Sequence, residues 1–388
     1  MVSGLDNTEE QCFRKIGGIN ISKLHTNNSR EYTDTIQTFC CLGYLATAAL
    51  QLYARKAAST ASVNSIVFDI ELSERPWGPH KHVHLHYGIC KKDDDALSTL
   101  TAEDLEYLKL RELTAYEQAP AYLQHNPFIR SGYRKFLPTK LCWESVFWWT
   151  NETINIWSHI FGWFLFLGLT INDLILLNIH ASFTDKLVVA VLLSCFQACM
   201  ILSSLYHTFS CRSENTFECF LMYDLFGIAL SLLAIYTSGV YYAFWCHQEL
   251  QLFYLITVTL IFVVAMLAQL PQFKINANIK MMIFVAWAAY GVLPTFHWAI
   301  AMGGFDNPMV QLLFPRVIGM YVISGIAFAI YLFKIPERWC AGKFDFIGHS
   351  HQWWHMFVVL ALYYWHNSGM MYVQYRMNHG CANTMRIF

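Results

Sequence analysis

The sequence predicts an all-α, polytopic membrane protein whose core is a seven-transmembrane helix bundle. Of its 388 residues, 55% are hydrophobic and only 14% are charged, whereas soluble domains average about 25% charged residues. The C-terminal two-thirds alternates short polar loops with apolar segments of about 20 residues, the length that spans a bilayer. Seven segments have this character, at about 152–178, 186–209, 219–241, 250–270, 280–301, 312–333 and 351–374. Pro294 predicts a kink in the fifth segment.

Charge and cysteine content exclude two other classes of protein. The formal net charge of −1 offers no basic surface for a nucleic acid, so we expect no nucleic-acid partner. The 12 cysteines are scattered, and some, such as Cys195 and Cys199, lie inside apolar segments. This pattern differs from a secreted disulfide framework and is typical of small buried side chains.

Residues 1–105 form a polar N-terminal extension that we expect to be largely disordered or weakly folded, and cytosolic. The apolar stretch at 38–53 is short for a membrane span, so we interpret it as a buried or surface helix. Four alternating histidines between His80 and His86 could line one face of a strand and hold a metal. A solvated loop is the favoured interpretation of the histidines, because no carboxylate or cysteine ligand is spaced beside them.

Residues 106–150 are predicted to be a cytosolic juxtamembrane segment, which contains the end of a helix and then a proline-containing stretch. That helix starts near Ser98, has acidic residues in its first turn and extends to about Ala115. Prolines then divide the chain into short pieces, at Pro120, Pro127 and Pro138. Basic residues precede the first apolar segment, at Arg130, Arg134, Lys135 and Lys140.

Lysine and arginine predict the orientation of the bundle, because they concentrate in cytosolic loops. The loops of the opposite face carry only Lys186 and Arg316, with Arg376 and Arg386 in the tail. We therefore expect a cytosolic N-terminus, a membrane domain at 151–377 and a lumenal tail at 378–388. This orientation is opposite to that of G-protein-coupled receptors and argues against that class. The basic residues on the N-terminal side are Arg130, Arg134, Lys135, Lys140, Arg212, Lys274, Lys280, Lys334, Arg338 and Lys343.

Polar side chains recur at the cytosolic end of four predicted helices. Odd-numbered helices begin there and even-numbered helices end there, so these side chains share one membrane depth. A polar group at membrane depth is costly unless it is paired, and it marks a candidate functional site. The residues are Glu152, Asn155 and His159 on helix one, Ser203 and His207 on helix two, Asp224 on helix three, and His351 and His355 on helix seven.

Three of these residues predict a zinc site. His351 and His355 lie four residues apart on one helix face, and His207 approaches from another helix. Three histidines with a fourth position left for water are typical of catalytic zinc, and Asp224 would hydrogen-bond that water or orient a ligand, with Ser203 beside it. The alternative is that each histidine only bridges helices through hydrogen bonds.

Glu152, Asn155 and His159 allow two interpretations. They lie on one helix face, at spacings of three and four residues. They could contact the ligand side chains, or they could cap the first span and tie it to its neighbours. The sequence favours neither role.

These motifs, in this order, resemble the progestin and adipoQ receptor (PAQR) family, which includes the adiponectin receptors. The resemblance covers about residues 115–377 and rests on Glu152-x2-Asn155-x3-His159, Ser203-x3-His207 with Asp224, and His351-x3-His355. It implies seven helices, a cytosolic N-terminus and an intramembrane zinc ion. Matched residue by residue, it implies that His207, His351 and His355 are the ligands, with Asp224 and Ser203 beside the bound water.

Further stretches resemble a branch of the family that anchors Raf kinase at the Golgi membrane and dampens MAP kinase signalling. The resemblance implies Raf as a cytosolic partner and the Golgi as location, with the plasma membrane as the alternative. The branch-like stretches are 116–118, 126–134, 151–159, 206–211, 238–244, 290–298 and 336–338.

Two further functions are alternatives to that of a scaffold, meaning a protein that anchors Raf kinase at the membrane. One is a zinc-dependent hydrolase of a membrane amide such as ceramide, in which Asp224 is the general base and Ser203 a donor to the developing oxyanion. The other is a receptor for a lipid or hormone ligand. The short lumenal loops leave little surface for a protein ligand, so a lipid or steroid-like ligand that enters between helices is the favoured form.

Overall fold

The computed structural model describes residues 102–177, 181–273 and 275–379. Helices and turns make up these ranges, without a strand. The predictions for 1–101, including the stretch at 38–53 and the histidines at 80–86, and for 380–388 lie outside the described residues. The α-helices are α1 (Ala102–Arg111), α2 (Thr139–Glu144), α3 (Thr153–Leu177), α4 (Phe183–Phe209), α5 (Glu214–Ala243), α6 (Gln248–Gln269), α7 (Ala277–Tyr290), α8 (Val292–Ala301), α9 (Pro308–Phe333) and α10 (Ser350–Asn378).

The predicted all-helical, seven-span architecture is confirmed, with the fifth span built from α7 and α8 together. By length and composition, six segments of the described residues can cross a membrane, namely α3, α4, α5, α6, α7 with α8, and α9. Helix α10 is also long enough, at 29 residues, but polar side chains such as His351, Gln352, His355 and His366 lower its hydropathy. The seventh span is therefore the most polar one.

Some of the spans begin just after a residue whose side chain accepts a backbone N–H. Ser182 precedes α4 and accepts from Asp185 N at 3.2 Å. Asn307 precedes α9 and accepts from Met309 N at 2.8 Å, with Pro308 at the first helical position. These are the residue types that satisfy the free donors of a first helical turn. The spans consequently begin within a few residues of the positions that hydropathy predicts.

Helix α10 is surrounded by other helices. It packs against α9, α3, α5 and α4, while α4 lies between α3 and α5. The central core includes Phe166, Phe196, Leu313 and Trp365, all buried. This position lets the polar side chains of α10 face protein and not lipid.

The predicted kink in the fifth span is a break between α7 and α8 at Gly291. Pro294 lacks an N–H, so the helix cannot continue its hydrogen-bond ladder there. Neighbouring hydroxyls satisfy the freed groups: Tyr236 accepts from Gly291 N at 3.2 Å, and Tyr321 donates to Ala288 O at 3.2 Å. Such pairing is required within a membrane, where water cannot replace it.

Helix α1 is shorter than the sequence predicted. It ends at Arg111, and not near residue 115, because the chain turns so that Thr114 pairs with Tyr133. Thr114 N donates to Tyr133 O at 2.8 Å, and Tyr133 N donates to Thr114 O at 3.2 Å. This pairing folds residues 112–138, here called the pre-membrane segment, against the end of α4, where Leu137, Leu141 and Phe209 share a core.

We expect Gly291→Ala to destabilise the protein by about 1–3 kcal/mol through overpacking. An added methyl group would meet the side chains of Tyr236 and Tyr321, which cannot move away without breaking their hydrogen bonds at the helix break. Thermal unfolding of the detergent-solubilised protein measures the effect. Gly325→Ala is the matched control, because an added methyl group there meets nothing. Equal stability of the two variants would contradict this account of the break.

Candidate metal centre

Three imidazoles converge at one end of the bundle. His207 lies in the last turn of α4, and His351 and His355 lie on the first turns of α10. His351 Nε2 is 3.4 Å from His207 Nε2 and 3.3 Å from His355 Nε2. His207 and His355 are buried, and His351 is half-buried. The structure thus brings together the three residues that the sequence predicted as zinc ligands.

The two distances from His351 Nε2 to the other Nε2 atoms fit tetrahedral coordination. Zn–N bonds of about 2.0–2.1 Å place tetrahedral ligand nitrogens about 3.3–3.4 Å apart. Hydrogen bonds alone do not satisfy these three nitrogens. His351 Nε2 lies near two other Nε2 atoms, and a neutral imidazole nitrogen either donates one hydrogen bond or accepts one. A cation that accepts three lone pairs satisfies all three nitrogens.

Glu152 fixes the tautomer of His207. Its Oε2 lies 2.7 Å from His207 Nδ1, so Nδ1 donates and the Nε2 lone pair is left for a cation. Asn155 Nδ2 donates to the same carboxylate oxygen at 2.8 Å. The backbone of Glu152 is held in the turn before α3, where Glu152 N donates to Thr150 Oγ1 at 3.1 Å. Glu152 thus contacts the side chain of a predicted ligand, His207, whereas Asn155 contacts Glu152.

His159 lies beside the cluster without joining it. Its ring stacks on that of His355, with centroids 4.0 Å apart and planes at 27°. Neither ring nitrogen has a hydrogen-bond partner among the described residues. The neighbouring Ser158 Oγ lies 3.5 Å from His355 Nδ1. Ser158 was not among the predicted site residues, because a serine in a membrane helix carries no signal that distinguishes it from a residue that packs helices.

Ser203 and Asp224 form a second polar contact next to His207. Ser203 is 2% exposed and lies one turn before His207 on α4. The half-buried carboxylate of Asp224 on α5 lies near both Ser203 and His207. Within the part of the chain that the structure describes, only the three histidines form a group of at least three close ligand atoms. Asp224 therefore stands beside the cluster, as the sequence predicted, and not in it.

A fourth buried histidine, His349, is not aimed at the cluster. Burial lowers its pKa below the usual value, so its imidazole is neutral. Its Nε2 lies 3.1 Å from the carbonyl oxygen of Asn151 and therefore donates to it. This bond ties the loop before α10 to the turn before α3.

The fold and this cluster define a seven-helix integral membrane protein with three histidines gathered at one end. Residues 147–366 match the family model described as Haemolysin-III related. Progestin and adipoQ receptor family member 3 of mouse is 43% identical over 277 residues, which cover 70% of this chain and 89% of the relative. The human protein of that name has the same identity and coverage. Heptahelical transmembrane protein 3 of Arabidopsis thaliana is 29% identical over 297 residues, covering 65% of this chain and 85% of the relative.

The chain belongs to the progestin and adipoQ receptor family. The family resemblance predicted from the motifs is therefore confirmed. The name of the plant relative, heptahelical, agrees with the seven spans observed here. The protein is accordingly an integral membrane protein of a receptor-like family, in contact with the lipid bilayer.

Proposed function

We propose that this protein holds a zinc ion through His207, His351 and His355. The observation that carries the proposal is the approach of their Nε2 atoms to 3.3–3.4 Å across two helices. The Glu152 carboxylate supports it by holding His207 Nδ1–H and by leaving Nε2 as an acceptor. The distribution of lysine and arginine supports a cytosolic N-terminus and, with it, a site near the cytosolic side of the membrane.

We expect the purified protein to contain about one zinc ion per chain and His351→Ala to lose most of it, because two ligands rarely retain zinc. Metal analysis after gel filtration measures the stoichiometry. His379→Ala is the control, since His379 is exposed at the other end of α10. The same zinc content in all three proteins, or none in the wild type, would refute the proposed site.

We propose further that the protein acts as a Golgi scaffold that retains Raf kinase and so reduces MAP kinase signalling. The support is the resemblance to the Raf-anchoring branch and the 43% identity with family member 3. The pre-membrane segment is a suitable docking face, because it carries exposed charged residues such as Arg130 and Glu117. The plasma membrane is the alternative location.

Co-expression of fluorescent Raf with the full chain tests the scaffold. We expect Raf to shift from the cytosol to the compartment that the chain occupies, since a membrane-bound partner concentrates its ligand there. Confocal imaging measures the shift, with a Golgi marker and a plasma-membrane marker as references. A membrane protein of similar abundance without Raf affinity is the control. Raf that stays diffuse while the chain fills the Golgi would refute the scaffold.

A second function is favoured by the contact between Ser203 and Asp224 beside the histidines. A bound zinc ion would supply Lewis acidity and lower the pKa of a coordinated water. Asp224 is placed to accept a proton, and the Ser203 hydroxyl is placed to hydrogen-bond a developing oxyanion. An amide lipid such as ceramide suits the site, because the surrounding helices face the bilayer.

We expect the zinc-loaded protein to release fatty acid from ceramide and Asp224→Asn to reduce the rate about 10²–10⁴-fold, the usual contribution of a general base. Mass spectrometry of the released acid measures turnover. Glu218→Gln is the control, since Glu218 is an exposed carboxylate on the same helix. A wild type that retains zinc but releases no acid would refute the hydrolase and indicate a zinc ion that only clamps α4 to α10.

A partly open cavity between helices favours a third function, binding of a lipid or hormone ligand. It lies between α5, α8, α9 and α10 and is lined mainly by apolar and aromatic side chains, including Tyr236, Trp298, Tyr321 and Trp365. Apolar walls with a few hydroxyl groups suit a lipid-like ligand. This function is compatible with either of the other two.

A further inference from the structure

The end of helix α4 is capped by a buried arginine. Arg134 is 2% exposed, and its guanidinium donates to the carbonyl oxygens of His207 and Thr208, the latter at 3.0 Å. It also donates to Ser145 Oγ at 2.7 Å. The last carbonyls of a helix have no partner within it and carry partial negative charge. Arg134 therefore binds the backbone of a candidate zinc ligand directly.

The start of helix α10 is capped by a buried glutamate. Glu337 is 0% exposed. Its carboxylate accepts Ser350 N at 2.7 Å and also the Ser350 hydroxyl. The residue before the helix, His349, provides no side-chain cap. Glu337 thus replaces the usual capping side chain at the turn that carries His351.

The two caps have opposite charges, matched to the two helix ends. A cation stabilises a helix C-terminus and an anion stabilises an N-terminus. No carboxylate lies within ion-pairing distance of Arg134, and no cation within that distance of Glu337, in the described ranges. A buried charge is costly without partners, so each side chain is held in place by the helix end that it caps.

The two capping side chains belong to one hydrogen-bonded unit outside the spans. Arg134 lies in the pre-membrane segment, and Glu337 lies in the loop between α9 and α10, residues 334–349. Asn126 Nδ2 of the pre-membrane segment donates to Glu337 Oε1 at 3.1 Å. Asp345 of the loop accepts Arg130 N at 2.9 Å and Ser131 Oγ at 2.6 Å. The positions of the two helix ends are therefore coupled.

We propose that Arg134 and Glu337 are positioning residues for the metal centre, which together set the separation between His207 on α4 and the histidines of α10. This inference rests on the proposed zinc site. Both side chains act through the backbone: Arg134 on the carbonyl oxygen of His207 itself, and Glu337 on the N–H of Ser350, the residue before His351. A shift of either helix end would separate nitrogens that now lie 3.3–3.4 Å apart.

Zinc competition against a fluorescent chelator tests the proposal on the full chain in detergent. We expect Arg134→Gln and Glu337→Gln each to weaken zinc binding about 10–100-fold, the range for outer partners of metal ligands. Arg134→Lys, which keeps the charge but loses the planar fork, should fall between Arg134→Gln and the wild type. The controls Arg130→Gln and Glu117→Gln remove an exposed ion pair at 3.3 Å, and they should leave zinc binding unchanged.

The visible spectrum of the Co²⁺-substituted protein separates positioning from general destabilisation. Altered ligand geometry changes that spectrum, whereas lower stability of a correctly formed site does not. Ser350→Ala is a milder variant in case a charge variant does not fold, because it removes the hydroxyl bond to Glu337 and leaves the backbone bond. Unchanged zinc affinity and Co²⁺ spectra in all variants that fold would overturn the inference. A wild type that binds neither metal would instead refute the zinc site itself.

Discussion

The polarity of α10 is the constraint on which the bundle depends. This helix carries His351, Gln352, His355 and His366 through a membrane, and such groups are costly unless protein partners cover them. Its neighbours α3, α4, α5 and α9 surround it. The less polar helices, which by length and composition suit a lipid environment, consequently lie where they shield it. The site and the architecture therefore have one cause, because the helix with the most polar side chains needs the most protein contacts.

Two groups of polar side chains that include residues of α10 differ in their hydrogen-bond partners. His366 pairs with Asp173 on α3, with 2.6 Å between His366 Nε2 and Asp173 Oδ2. The Asp173 carboxylate therefore partners Nε2 of His366, whereas His366 Nδ1 has no hydrogen-bond partner among the described residues. The cluster of His207, His351 and His355 instead presents lone-pair atoms to one another, and its carboxylate partner, Glu152, is turned to Nδ1 of His207. The proposed zinc ion would bind the three nitrogens of the second group, whereas the first group is an interhelical hydrogen bond between a carboxylate and an imidazole.

The segments outside the spans contact the helix ends that carry the histidines. The pre-membrane segment and the α9–α10 loop contribute opposite charges to the two helix ends that carry the histidines. A scaffold function would use the outer surface of these segments, and a hydrolase function would use the cluster beneath them. A partner that binds the outer surface would contact the segments that contain these buried capping groups, so the two proposed functions would be physically connected.

The sequence by itself determined the class of fold, the seven spans and the residues that share one end of the bundle. Those features depend on the length and hydropathy of single segments and on alternating topology, which a linear sequence contains. Tertiary structure decided the rest: the role of Glu152, the contact of Ser158 with His355, and the capping by Arg134 and Glu337. These contacts join residues far apart in the chain, such as Asn126 and Glu337. They depend on how each helix is rotated and how far it is displaced along its axis, and the periodicity of an individual segment does not specify either.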